Sequence, residues 1–259
     1  MTLLTATILG IVEGITEFLP ISSTGHLILT QRLLQMQNSE MLASFDIAIQ
    51  LGAILAVVVL YFPTILRARN IWLPVIVAFL PTALIGALLH KIVKTYFLGN
   101  THIVIWSLFI GGLVILLFEA LYKKEHASIR SLETVPLKTA FAIGICQSLA
   151  IVPGVSRSAA TILGGMLLGI ERRTIVDFSF LLAIPTMAAA TGFDLLKSYQ
   201  SFSSHDALAL GVGFFTAFVT AMIAIKWLLK FVQTHTFTPF GFYRVIVAIV
   251  FWIWVIPRP

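Results

Sequence analysis

Charge is what this sequence has least of. Lys, Arg, Asp and Glu make up 11% of its 259 residues, against about 25% in a soluble globular domain. Hydrophobic residues reach 59%, and the mean hydropathy is +1.00. That balance excludes a soluble domain of any size. Cysteine is scarce too: the single Cys146 cannot close an intrachain disulfide, and no Cys/His spacing suggests a zinc site. The N-terminus lacks a basic region and a small-residue cleavage site, so no removable signal peptide is expected. No basic patch with interleaved aromatics accompanies the net charge of +6. The charge is therefore assigned to loop topology, with no nucleic acid as partner.

What is present is a succession of apolar runs, each of the roughly 17 to 25 residues that cross a bilayer. A broken element at 5–35 is followed by spans at 44–62, 72–90 and 103–121. A charged loop, 122–138, carries Lys123, Lys124, Glu125, Arg130, Glu133 and Lys138. A second broken element, 139–168, precedes spans at 176–195, 207–228 and 241–257. The halves align: Pro20-Ile-Ser-Ser23 with Pro153-Gly-Val-Ser156 and Phe45 with Phe178 at an offset of 133, then Phe79–Lys91 with Phe214–Lys226 at 135. Paired Gly/Pro-interrupted segments in corresponding places point to a site at a repeat interface.

Each broken element has a proline and small residues around a polar centre, which suits a helical hairpin that dips into the membrane and returns. Non-helical backbone at that depth requires burial in protein or water. The expected fold is therefore an all-α polytopic membrane protein with two inverted repeats. Each repeat is a re-entrant helical hairpin plus three transmembrane helices, giving six crossings and two re-entrant regions. A single integral membrane domain, 1–259, would hold the first repeat at 1–121, a cytoplasmic linker loop at 122–138 and the second repeat at 139–259. Loop charge orients it. One side holds Arg67, Arg69, Lys123, Lys124, Arg130, Lys138, Arg172, Arg173, Lys226 and Lys230; the other holds Arg32, Lys91, Lys94, Lys197 and Arg258. The richer side is assigned to the cytoplasm, which leaves both termini outside and brings the hairpin tips together near the midplane.

Those tips carry the chemistry. The stretch from Glu13 to His26 holds two carboxylates four residues apart, three hydroxyls and an imidazole, in a setting where a charged side chain costs at least about 2.5 kcal/mol unless it lines a site. The second tip offers Ser156, Arg157, Ser158 and Thr161, with Gln147 upstream. Arg157 is a planar, permanent cation suited to bidentate phosphate recognition. Carboxylates beside a phosphate would repel it unless a divalent cation, Mg²⁺ or Ca²⁺, lies between them. Acid pair, hydroxyl, imidazole and arginine together describe phosphoryl transfer.

The stretches Glu13-Gly-Ile-Thr-Glu-Phe-Leu-Pro-Ile-Ser-Ser-Thr-Gly-His26 and Pro153-Gly-Val-Ser-Arg-Ser-Ala-Ala-Thr161 closely resemble the two signature motifs of the undecaprenyl-diphosphate phosphatase family, the bacitracin-resistance proteins. The resemblance spans essentially the whole chain, including Gln50-Leu-Gly-Ala-Ile-Leu-Ala-Val and Phe178-Ser-Phe-Leu-Leu-Ala-Ile-Pro185. It implies a bacterial inner-membrane enzyme, facing the periplasm, that removes the terminal phosphate of the C55 isoprenoid diphosphate and needs a divalent metal. It implies Glu13 and Glu17 as the essential acids, both candidate metal ligands. Ser23 and His26 would be the catalytic hydroxyl and imidazole, and Arg157 the phosphate-binding arginine. Substrate-binding candidates beside these are Ser22, Thr24, Gly25, Gln50, Ser156, Ser158 and Thr161.

Several assignments stay open at this level. Ser23 is the preferred nucleophile, with His26 or Glu17 as its base; attack by His26 or by a metal-bound water are rival schemes. Ser22 and Thr24 suit backbone satisfaction of a broken helix as well as catalysis. Gln50 and Gln147 suit a site lining or helix–helix hydrogen bonding. Glu119 is expected to face water near a span end, and Arg244 beside Tyr243 to be an interfacial anchor, with reaching the site as its second reading. Oligomeric state is open, with a homodimer among the options. Paired broken helices are also a transporter architecture, so a lipid or anion transporter is the alternative function.

Overall fold

The computed structural model describes residues 1–37, 39–67, 69–97, 100–122, 127–198 and 207–255. Of the loop charges counted above, Lys123, Lys124, Glu125 and Arg258 lie outside the described residues, as do the side chains of Arg69, Lys94 and Lys197. The described residues form eleven α-helices joined by turns, with one isolated parallel bridge between Ile129 and Ile170. A helix satisfies its peptide groups within its own segment, as hydrocarbon requires of an apolar run of this length.

The first broken element is two helices, α1 (Leu3–Thr16) and α2 (Ser23–Leu33). After it come α3 (Glu40–Leu60), a short α4 (Phe62–Arg67), α5 (Arg69–Ile92) and α6 (Thr101–Leu121). The second broken element is α7 (Leu137–Ser148) and α8 (Arg157–Leu167). It leads to α9 (Arg172–Ser198), α10 (Ala207–Phe231) and α11 (Thr238–Val255). Within α3, α5, α6, α9 and α10 lie stretches long and apolar enough to cross a membrane; α1, α7 and α11 are shorter apolar helices. Large apolar side chains face outward along these helices, such as Leu73, Leu80, Leu84 and Leu88 on α5 and Ile110, Leu113 and Leu117 on α6. A contiguous apolar exterior of this extent needs lipid, not water, as its solvent. This is an integral membrane protein.

Helix pairing follows one pattern used twice. The first helix of one broken element packs on the long helix of the other half: α1 on α10, and α7 on α5. Likewise α10 packs on α3 and α5 on α9, while α6 pairs with α11 and α3 with α9. Glycine sets the approach. A methyl at Gly10 would lie 2.7 Å from the Gly213 carbonyl oxygen, and one at Gly144 2.1 Å from that of Ala78. The correspondence at the tips runs one residue later than the sequence alignment. Ser22, not Ser23, matches Ser156: both start an 11-residue helix from a left-handed backbone, at φ 73° and 80°.

One end of the assembly is tied by polar contacts. Glu119 is buried, accepting from Arg172 Nη2 at 2.7 Å and from the Phe237 amide at 2.7 Å. It does not face water, because three helix ends close over it. Tyr61 donates to Asp177 beside it in the fold's α3–α9 seam.

Candidate active site

Two turns meet where the broken helices are interrupted. Proline decides where each interruption falls, because its ring clashes with the carbonyl four residues back. For Pro20 that residue is Thr16, the last of α1; for Pro153 it is Leu149, immediately after α7. Each following helix is started by a serine whose side chain caps it: Ser22 Oγ accepts from the Gly25 amide at 3.3 Å, and Ser156 Oγ from the Ala159 amide at 3.2 Å. The amides of Ser23 and Thr24, and of Arg157 and Ser158, sit in first turns with no acceptor four residues behind them in the helix. Both helices therefore present an anion-binding end.

The turns are locked together. Ser158 Oγ donates to the Leu19 carbonyl at 2.7 Å, and a methyl at Gly25 would lie 3.6 Å from the Gly154 Cα. Within the first turn the Ser23 hydroxyl donates to Glu17 Oε2, and across the contact Arg157 Nη2 pairs with Glu17 Oε1 at 3.0 Å. Arg157 Nη1 donates to the Ser179 carbonyl at 2.9 Å, and its guanidinium lies 5.8 Å from the Phe18 ring centroid. The ion pair is nearly buried, with side chains 12% and 10% exposed. A pair this desolvated is held by its hydrogen bonds more than by charge alone, and its residual exposure opens on a cavity.

That cavity holds about 800 Å³. Its polar head is formed by Glu17, Ser22, Ser23, Thr24, Ser156 and Arg157, with Gln50 and Gln147 alongside. Its walls, from α5 and α9, include Phe79, Ala83, Ala87, Met187 and Ala190. The structure thus brings seven sequence candidates onto one surface: Glu17, Ser22, Ser23, Thr24, Gln50, Ser156 and Arg157. Gln147 serves both of its readings, since it lines the cavity while donating to Thr82 at 2.9 Å and Thr186 at 3.2 Å.

The remaining candidates lie behind that surface. His26 is buried, with Nδ1 2.7 Å from the Ser22 carbonyl and Nε2 2.8 Å from the Tyr243 hydroxyl. Gly25 is packed under Val104 and the Gly154 turn. Ser158 and Thr161 are fully buried, and Thr161 Oγ1 is engaged by the Arg157 carbonyl at 2.8 Å and by Gln147 at 3.3 Å. Glu13 is fully buried, and neither carboxylate oxygen has a hydrogen-bond partner. The charges that reach it are Glu17, Asp46 and Arg157. An orphaned buried carboxylate calls for a proton or a cation.

Four residues escaped the sequence reading. Thr82 and Thr186 line the cavity, each directly after a proline inside a long helix, Pro81 and Pro185; that pairing in an apolar run was the available signal. Tyr243 holds His26. Asp46 accepts from Gln31 at 2.9 and 3.1 Å; an acid within an apolar run could have flagged it. Arg244 is no interfacial anchor: it is fully buried and donates only to backbone carbonyls.

Comparison with known proteins now places the chain. The family model described as bacitracin resistance protein BacA matches residues 6–250. The chain is 51% identical over 251 residues to an undecaprenyl-diphosphatase of Aquifex aeolicus (strain VF5), covering 97% of this chain and 98% of the relative. It is 52% identical over 254 residues to one of Sulfurihydrogenibium sp. (strain YO3AOP1), covering 98% and 100%. To one of Persephonella marina (strain DSM 14350 / EX-H1) it is 48% identical over 256 residues, covering 99% and 100%. With its two signature turns folded into one cavity and this similarity running end to end, the chain belongs to the BacA family of bacitracin resistance proteins.

Proposed function

We propose that this chain hydrolyses the terminal phosphate of undecaprenyl diphosphate, the substrate named in its relatives, and that this activity underlies bacitracin resistance. The observation that carries the chemistry is the Ser23 hydroxyl donating to a Glu17 carboxylate that Arg157 holds in place. Ser23 Oγ attacks the terminal phosphorus and passes its proton to Glu17. The bond from phosphorus to the bridging oxygen breaks, and the polyprenyl monophosphate leaves with that proton. Water then attacks the phosphoserine, gives a proton to Glu17, and Glu17 returns it to Ser23 Oγ as phosphate departs. Arg157 and the free helix-start amides hold the phosphoryl oxygens as their charge is redistributed.

Glu17 is favoured over His26 as the base because both His26 nitrogens are engaged by Ser22 and Tyr243, away from the cavity. His26 Nδ1 instead braces the Ser22 carbonyl. The apolar walls of α5 and α9 suit the isoprenoid end of the substrate. Among the described residues no three His, Cys, Asp or Glu side chains converge to hold a metal by themselves. A hard divalent ion completed by substrate phosphate still fits the two carboxylates, given the unpartnered oxygens of Glu13. Glu13 and Glu17 would hold Mg²⁺ or Ca²⁺, which would offset the diphosphate charge.

The repeated helix pairing supports two inverted repeats, each a re-entrant hairpin plus three crossings. With the loop charges, this orients the cavity toward the periplasmic side of the bacterial inner membrane.

The test is phosphate release from farnesyl and undecaprenyl diphosphate by purified protein with Mg²⁺, Ca²⁺ or chelator. Arg157→Ala should lose about 10³-fold or more in kcat, the scale of removing an arginine that stabilises a transferring phosphoryl group. Ser23→Ala should trap no phosphoenzyme, and Glu13→Gln should raise the metal concentration needed for half-maximal rate. Full activity in Ser23→Ala would eliminate the serine mechanism. No release by folded wild-type protein would pass the lead to lipid or anion transport.

A further inference from the structure

Arg244 is the largest of the fully buried side chains, and the two carboxylate pairings of buried arginines, Arg157–Glu17 and Arg172–Glu119, do not involve it. Its charge is met by backbone instead. Nε donates to the Leu108 carbonyl at 3.3 Å. Nη1 donates to Pro20 at 3.3 Å and Val155 at 2.9 Å. Nη2 donates to Ser107 at 2.9 Å and Gly154 at 2.8 Å. All five N–H groups of the guanidinium are used, the full number this side chain has. The acceptors belong to three separate pieces of chain: the first turn, the second turn and α6.

We propose that Arg244 is a positioning residue for phosphoryl transfer: its planar fork holds the Pro20 turn and the Gly154–Val155 turn in one fixed relation, so that Ser23 and Arg157 address the same phosphoryl group. Pro20 lies three residues before Ser23, and Val155 two before Arg157. Both reactive side chains are thus carried on segments whose carbonyls this one group gathers. The fold makes room for it. A methyl at Gly111 would lie 2.0 Å from Arg244 Nη2, so α6 is notched where the guanidinium passes. The adjacent Tyr243 secures His26, which in turn holds the Ser22 carbonyl. Two consecutive residues of α11 therefore brace the first turn from behind, without lining the cavity.

Lysine tests this well, because it keeps the charge but has one nitrogen in place of a planar fork. This proposal rests on the phosphatase reading, so the experiment has two independent readouts. In Arg244→Lys, kcat for phosphate release should fall about 100-fold, the scale of an ångström-level misplacement of reacting groups. KM should stay within about twofold. Hydrogen–deuterium exchange should rise in peptides covering 17–26 and 150–158 and stay unchanged elsewhere. Gly111→Ala keeps the arginine but displaces it, and should reproduce the same split if the lysine variant fails to fold. Gly211→Ala, where a methyl meets open space, should behave as wild type.

A lysine variant with wild-type kcat, a rise in KM alone, or exchange that increases uniformly across the helices would each overturn the proposal. If wild-type protein releases no phosphate, the phosphatase reading fails, and unchanged exchange in the two turns would separately dismiss the clamp.

Discussion

Ser22 and Ser156 do the least conspicuous work at the residue scale. Each holds a backbone conformation that L residues rarely adopt, and each offsets the strain with a side-chain cap on the helix it starts. The two costs can be separated at Ser22. Alanine removes the cap, about 1 kcal/mol, and keeps the strain of a positive φ, about 1–3 kcal/mol. Glycine removes the cap but also relieves the strain. Thermal unfolding in detergent should therefore rank wild type close to Ser22→Gly, with Ser22→Ala the least stable. If both variants melted alike, the backbone would not be under strain. The same logic explains why the polar stretch is dense in small residues: the turns must approach each other as closely as Gly25 and Gly154 do.

Among the elements, the close glycine contacts decide which helices belong together. Gly144 on α7 meets the Ala78 carbonyl on α5, and the same approach brings Thr82 Oγ1 to donate to the Gly144 carbonyl at 3.1 Å. In lipid, where neighbouring helices gain little from hydrophobic exclusion, such close backbone packing and the hydrogen bonds it permits hold helices together. Gly144→Ala should cost roughly 1–3 kcal/mol through overpacking. It should also lower activity, since Thr82 and Gln147 line the cavity. Alanine at Gly211 should change neither. Equal melting temperatures for the two alanine variants would mean that the α5–α7 contact yields without cost.

For the whole molecule, the two sequence halves do not pack as separate bodies. Each lends its broken hairpin to the other, so α1 lies on α10 and α7 on α5. Chain segments some two hundred residues apart, Gly10 and Gly213, are in contact. An arrangement of this kind gathers the Arg172, His235 and Ile129 region at one end and the Arg32–Thr101 contact at another. The proposed orientation makes the first of these cytoplasmic. With Cys146 replaced by serine, single cysteines at Lys91 and Lys230, both exposed, should label differently in intact cells. A membrane-impermeant thiol reagent should reach Lys91→Cys directly and Lys230→Cys only after permeabilisation. The reverse pattern would invert the molecule and place its cavity opening on the cytoplasmic side.

Much of this protein is set by local sequence. Apolar runs favour helix in lipid, a proline set among small and polar residues marks where a helix breaks, and paired intramembrane acids and an arginine must face something polar. Those rules located both broken elements, the long helices and six residues of the cavity surface, while Gln50 came with the family resemblance. Tertiary structure decided the rest. Arg157 reaches the Ser23–Glu17 pair through a contact 140 residues apart in the chain. His26 turns away from the cavity because Tyr243, on the last helix, takes its second nitrogen. The tip alignment was one residue off, since prolines guided it and the capping serines set the true register. Arg244 was the hardest to read. Its neighbours along the chain are those of an interfacial anchor, and its partners are backbone carbonyls, which carry no residue identity for a sequence to display.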